Sequence, residues 1–313
     1  MPARRLLPLV AAALAAALAG CGGGDDDRSD RVRVVATTAQ MADIARNVGG
    51  DAVDVHPLLP AAGGDPHGHE PRPRDIEAIA RAELIVLSGA GLDEWAREVI
   101  DSSGTDATVV DAGAGRPAVR RTAAGDIDPH WWHDPRNVAH AAGRIGAALA
   151  DAAEDPGARR RIERNAAAYA QRVRALDRAI AGCLQRIPAG RRRLVTQHDS
   201  IGHLADRYDL EVVGTISPAQ AAEAQPSAGE LAALADRVRR ERVAAIFPDA
   251  AGSDRLARAL ARQTGARVGP ALYGDSLGRP GSPEATYLGM EAANAERLAH
   301  GLTDGRVRCA IRP

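Results

Sequence analysis

The sequence predicts an α/β protein of two lobes, each built on a parallel sheet, joined by a single long backbone helix. Three observations predict it. Short β-rich runs alternate with helical spacing up to Ala152, the alternation restarts at Arg193, and between them one helical period runs without a break.

In the first lobe, residues 33–36, 53–59, 84–87 and 107–110 read as strands. Residues 41–48, 75–82, 92–100 and 137–152 read as helices between or after them. Asp155-Pro156 then looks like an N-cap followed by proline at the first helical position. Ile162, Ala166, Tyr169, Val173, Leu176, Ile180 and Leu184 recur on one face. That periodicity predicts one helix of about 30 residues, roughly 45 Å long, which suits a link between lobes. The run Arg159-Arg160-Arg161 reads as its solvated face. In the second lobe, residues 193–196, 210–214, 243–247 and 267–272 read as strands. Helices are predicted over 201–208, 227–241, 253–264 and 285–302.

The first twenty residues read as a targeting leader: Arg4 and Arg5, then a short apolar stretch ending in Leu18-Ala19-Gly20-Cys21. Small residues before a cysteine at that point match a bacterial lipobox. The expected outcome is cleavage before Cys21, acylation there, and attachment to the outer face of the cell membrane. Residues 21–30, rich in Gly and Asp, read as a flexible tether. The expected organisation is thus leader 1–20, tether 21–30, first lobe 31–154, linking helix 155–187 and second lobe 188–313.

The net charge is −1, which gives no electrostatic case for nucleic acid. All basic side chains other than histidine are arginine, which points to compositional bias and carries no functional reading. Beyond Cys21 there are two cysteines, Cys183 and Cys309, with no C-x-x-C pair, so a thiolate metal site is not expected. An exported chain permits a disulfide between them; two buried thiols are the alternative.

Three of the nine histidines lie in loops that follow strands, where open α/β sheets bind ligands. His67 sits in Gly64-Asp65-Pro66-His67-Gly68-His69-Glu70-Pro71. His130 sits in Asp128-Pro129-His130-Trp131-Trp132-His133-Asp134-Pro135. His198 follows the strand that ends near Thr196. Flanking prolines stiffen the first two loops. Imidazoles favour zinc, copper, nickel or iron over calcium or magnesium, and a carboxylate completes a tetrahedral set.

These segments resemble the zinc/manganese substrate-binding proteins of bacterial ABC importers, the cluster 9 or A-1 family. The two loops are similar to that family's Asp-Pro-His-x-x-Glu-Pro and Asp-Pro-His-x-Trp-x-Asp-Pro motifs. Thr196-Gln197-His198-Asp199-Ser200-Ile201-Gly202, Ile216-Ser217-Pro218 with Gln225-Pro226-Ser227, and Leu272-Tyr273-Gly274-Asp275-Ser276-Leu277 resemble three more, in order. The resemblance runs from Arg31 to the last helix. It implies the metal ligands His67, His130, His198 and Asp275, two from each lobe, with Asp275 either close or sharing its place with water. It also implies capture of zinc, with manganese or iron as alternatives, by a monomer that delivers it to an importer permease.

Several residues depart from the pattern. Gln225 stands where glutamate is usual, and residues 111–127 form a short stretch without histidine where zinc-specific members often carry a long His-rich loop. His69 and His133 are additional: entry ligands, a second weak site, or solvent-exposed side chains. Asp199 reads as an acceptor orienting an imidazole or as a helix cap; Asp249 as a cleft residue or a cap. Trp131 and Trp132 are expected to pack around the site. His56, His140, His203 and His300 are assigned no role.

The expected mechanism is binding without chemistry, since four protein ligands leave no position for an activated water. No H-E-x-x-H is present to support a metallohydrolase. An adhesin with a structural metal is the remaining rival. Imidazoles bind metal when neutral, so affinity is expected to fall as pH drops through roughly 6.5.

Overall fold

The structure, a computed structural model, describes residues 31–122, 124–217 and 225–312. The leader, the tether, the acylation site Cys21 and Pro218 lie outside the described residues.

The first sheet holds β1 (Val32–Ala36), β2 (Val53–Pro57), β3 (Leu84–Leu87) and β4 (Thr108–Asp111) in the order β2-β1-β3-β4, all parallel. The second holds β5 (Arg193–Thr196), β6 (Glu211–Thr215), β7 (Ala245–Phe247) and β8 (Arg267–Val268) in the order β6-β5-β7-β8, again all parallel. The two sheets thus repeat one topology. In each, strand order reverses between the first and third strands, and the crevice that binds ligands in such folds opens there, beyond the carboxyl ends.

Helices α1 (Ala39–Gly49), α2 (Pro73–Arg81), α3 (Glu94–Ser103) and α4 (Pro135–Ala152) accompany the first sheet. Helices α6 (Gly202–Arg207), α7 (Ala228–Arg240), α8 (Arg255–Thr264) and α9 (Tyr287–Thr303) accompany the second. Between them runs α5 (Pro156–Leu184), 29 residues in one piece. Asp155 caps it, accepting from the N–H groups of Gly157 and Ala158 at 2.8 Å each, with Pro156 in the first turn. Its arginine run, Arg159 to Arg161, is exposed.

Alternation along the strands covers both faces of each sheet. In β3, Leu84 and Val86 face the main core while Ile85 and Leu87 face α2 and α3. The main core continues through Tyr169, Val173 and Ile180 of α5 and Leu298 of α9 to Leu194 and Phe247 of the second sheet. Each large apolar side chain buried there contributes roughly 1.5–3 kcal/mol. That outweighs the intrinsic helix preference of ordinary exposed residues, about 0.7 kcal/mol or less, and the cost of the exposed Gly182, about 1 kcal/mol, so packing of this stripe fixes α5. Gly146 lets α4 lie against α5, because a Cβ there would stand 2.5 Å from the Ala166 methyl.

Two differences from the sequence reading have local causes. The strand expected over 267–272 ends at Val268, because Pro270 has no N–H to donate. Leu272 alone regains a bridge, to Asp249. Cys183, at the end of α5, is bonded to Cys309 across 126 residues, with Cα atoms 5.8 Å apart. This resolves the two alternatives left open by the sequence.

Candidate metal centre

Each of the four residues is placed by its own loop. His67 lies between β2 and α2. Its backbone N–H donates to Asp65 Oδ1 at 2.8 Å, and Trp95 of α3 pins the loop by donating from Nε1 to the Pro66 carbonyl at 2.8 Å. His130 lies between β4 and α4 and is fully buried. His198 follows β5 directly; Thr196 Oγ1 and the Ser200 N–H both donate to its carbonyl, at 2.8 and 2.9 Å. Asp275 lies between β8 and α9. The Leu277 N–H donates to the Ala61 carbonyl at 2.8 Å, which ties the Asp275 loop to the His67 loop.

The four side chains converge. His67 Nε2 and His130 Nε2 are 3.2 Å apart, His130 Nε2 is 3.2 Å from Asp275 Oδ1, and His198 Nε2 is 2.9 Å from Asp275 Oδ2. One ligand atom from each lies within 4.8 Å of all the others. Bonds of about 2.05 Å in a tetrahedron separate ligand atoms by about 3.3 Å, so the arrangement is close to the one a single ion requires. Both ring nitrogens of His198 and Oδ1 of Asp275 are buried without a hydrogen-bond partner. Such atoms are costly to leave unmatched, and a cation in the cluster would satisfy His198 Nε2 and Asp275 Oδ1, while His198 Nδ1 faces Asp249.

The electrostatics suit a cation. Burial alone would lower His130, but the carboxylates of Asp275 and Asp128 outweigh it and push it up to about 10. Burial would raise Asp275, but His130 and His198 hold it well below the usual carboxylate range. Burial lowers His67, and the neighbouring His130 lowers it further. The Asp128 carboxylate binds His130 Nδ1 at 2.8 Å, which leaves Nε2 to face the other ligands.

A cleft of about 440 Å³ leads in, with Asp65, Gln197, Gln225, Asp249 and Asp275 on its wall. Gln225, the departure from the usual glutamate, is therefore a cleft residue. Trp131 and Trp132 are fully buried, and the Trp132 ring meets His130 edge-on at 5.5 Å between centroids.

Other expected residues fall elsewhere. Asp199 orients no imidazole; it pairs with Arg120 at 3.3 Å. Asp249 serves both suggested roles. Its Oδ1 accepts from the Ala251 N–H at 2.7 Å, and its Oδ2 lies 4.0 Å from His198 Nδ1. His69 stands apart, half-buried with its ring against Trp95. His133 is neither exposed nor in the cluster: it is fully buried against Glu291. His56 pairs with Asp75, and His140 with the Ala114 carbonyl.

Sequence reasoning missed Asp128, Arg120 and Glu291. An aspartate two residues before a histidine is a visible signal, because its carboxylate can reach both the backbone N–H and Nδ1. Nothing local marks Glu291, whose partner is distant in the chain, and Arg120 bridges the nearby Asp128 to the distant Asp199 and Asp206.

A family model described as ZnuA, zinc-uptake complex component A, periplasmic, matches residues 34–301. The chain is 31% identical over 277 residues to the iron-binding protein YfeA of Yersinia pestis, covering 88% of each. It is 26% identical over 301 residues to the manganese ABC transporter substrate-binding lipoprotein PsaA of Streptococcus pneumoniae, covering 93% of this chain and 96% of that one. Among solved structures it is similar to the periplasmic zinc binding protein TroA of Treponema pallidum, with TM-score 0.78 and 26% identity over 87% of this chain and 99% of that one.

Proposed function

The chain belongs to the ZnuA family of periplasmic zinc-uptake components, and on that premise we propose that it captures zinc outside the cytoplasmic membrane and delivers it to an ABC importer. The observation that carries this reading is the meeting of His67, His130, His198 and Asp275 within 4.8 Å. Three imidazoles and one carboxylate suit zinc by ligand type and number.

Capture follows from this arrangement. The ion enters along the acidic cleft and exchanges its water for two ligands from each side. Four protein ligands fill a tetrahedral shell, so no activated water remains and the chain binds without catalysis. The continuous α5 and its shared core restrict the lobes to small tilts and loop shifts. Docking on the permease displaces ligands on one side and frees the ion. The chain acts as a monomer, held to the membrane through lipid on Cys21, and its body divides at 31–154, 155–187 and 188–313.

Manganese or iron is the second reading, favoured by the names of the relatives PsaA and YfeA. Competition between zinc and manganese for the metal-free chain, followed by metal analysis, decides between them. Tight zinc binding that His198→Ala sharply weakens is the expected result; failure to bind either ion refutes the assignment.

A further inference from the structure

His133 and Glu291 are both fully buried, with His133 Nδ1 2.6 Å from Glu291 Oε1. The other ring nitrogen, Nε2, lies 3.0 Å from the carbonyl oxygen of Gly274. Trp132 Nε1–H donates to that same oxygen at 3.2 Å. Gly274 immediately precedes Asp275. One residue earlier, Tyr273 is bonded at both its N–H and its carbonyl to the side chain of Asn294, at 2.9 and 2.8 Å. Glu291 and Asn294 are three apart on α9, so one face of that helix holds His133 and the Asp275 loop together.

The carbonyl only accepts, so His133 Nε2 must carry a hydrogen. Glu291 Oε1 faces the other ring nitrogen, Nδ1, while Glu291 Oε2 is buried without a hydrogen-bond partner. A buried pair of this kind is weak evidence for stability, since apolar residues of similar volume often serve as well. What apolar residues cannot supply is a donor aimed at Gly274.

We propose that His133, oriented by Glu291, is a positioning residue that sets the direction of Asp275 by holding the Gly274 carbonyl through a buried contact from the His130 segment. The proposal rests on the metal-capture reading above. Asp275 approaches His130 and His198 through opposite oxygens, so a turn of its peptide would disturb both approaches. A contact made by the His130 segment thereby fixes a ligand of the second half, and parting of the halves loosens Asp275 as well as separating the ligand pairs.

The test uses zinc alone on the full chain and reads its dissociation rate after excess chelator is added. Replacing the pair by apolar residues, His133→Leu with Glu291→Leu, should leave the melting temperature of the metal-free chain within a few degrees yet speed zinc loss about tenfold or more. His133→Gln, which can still donate to Gly274, should recover most of the parent rate. A folded double variant that loses zinc at the parent rate overturns the proposal, as does a glutamine variant as fast as the double one. Should the double variant not fold, His133→Met with Glu291→Gln removes the same donor without leaving a buried carboxylate unpaired, and an unchanged zinc-loss rate there likewise overturns it. A parent chain that binds no zinc instead refutes the capture reading itself.

Discussion

Asp128 holds His130 through a single carboxylate oxygen: Oδ1 accepts from the His130 backbone N–H at 3.0 Å and pairs with Nδ1 of its ring at 2.8 Å. The two contacts fix the ring's direction and keep a hydrogen on Nδ1, so Nε2 is the nitrogen that faces the cluster and is left for an ion. Asp128→Ala removes both. Loss of an orienting partner of this kind weakens metal affinity by about 10- to 100-fold. Competition with a chelating indicator measures it, and a variant with parent affinity would show that the ring is oriented by packing alone.

The pH dependence follows from His130. With its pKa pushed up to about 10, the metal-free ring is cationic at neutral pH, and an incoming ion must expel the Nε2 proton. His67 is lowered, so it is already neutral there and adds no proton near pH 8. Binding near pH 8 should therefore release about one proton, and affinity should rise about tenfold per pH unit until it levels near 10. This moves the window well above the value of roughly 6.5 expected for an unperturbed histidine. Calorimetry in two buffers of different ionisation heat gives the proton count; no release at pH 8 would contradict it.

What the sequence made legible was local. Asp-Pro-His segments and a strand-ending histidine announce the histidines of the candidate site because each signal lies within a few residues. The α5 stripe announces a long helix because its period never breaks. Asp128 was within reach on the same grounds. Arg120, Glu291 and the Cys183–Cys309 bond were not, because each acquires its meaning only when segments about 70 or more residues apart meet. His133 shows the limit most clearly, since an extra histidine beside a ligand motif looks like another ligand until its buried carboxylate is seen.

Arg120 joins the two halves electrostatically. Its Nη1 lies 2.7 Å from Asp128 Oδ2 and 3.3 Å from Asp199, and its Nε lies 3.3 Å from Asp206. Asp128 is fully buried, so Arg120→Met leaves its Oδ2 in the interior without a partner, with His130 still bonded to Oδ1. Breaking a buried pair costs about 3–5 kcal/mol; with Arg120 still one-fifth exposed, about 2–3 kcal/mol is the fitting expectation. Denaturant unfolding of the metal-free chain measures it. An unchanged midpoint would mean that water already screens the pair.

Removing the metal separates a carrier from a protein that needs its ion to fold. The main core runs unbroken from the first sheet through α5 and α9 to the second, the Cys183–Cys309 bond closes the chain independently, and none of this apolar packing passes through the ligands. The chelated chain should therefore stay folded and unfold in a cooperative transition. Zinc at a thousandfold excess over its Kd should then add about 4 kcal/mol, which in a chain of this size raises the melting temperature on the order of 10 °C. Circular dichroism and thermal melting with and without chelator give both quantities. Collapse of the helical signal on chelation would make the ion structural and favour the adhesin reading.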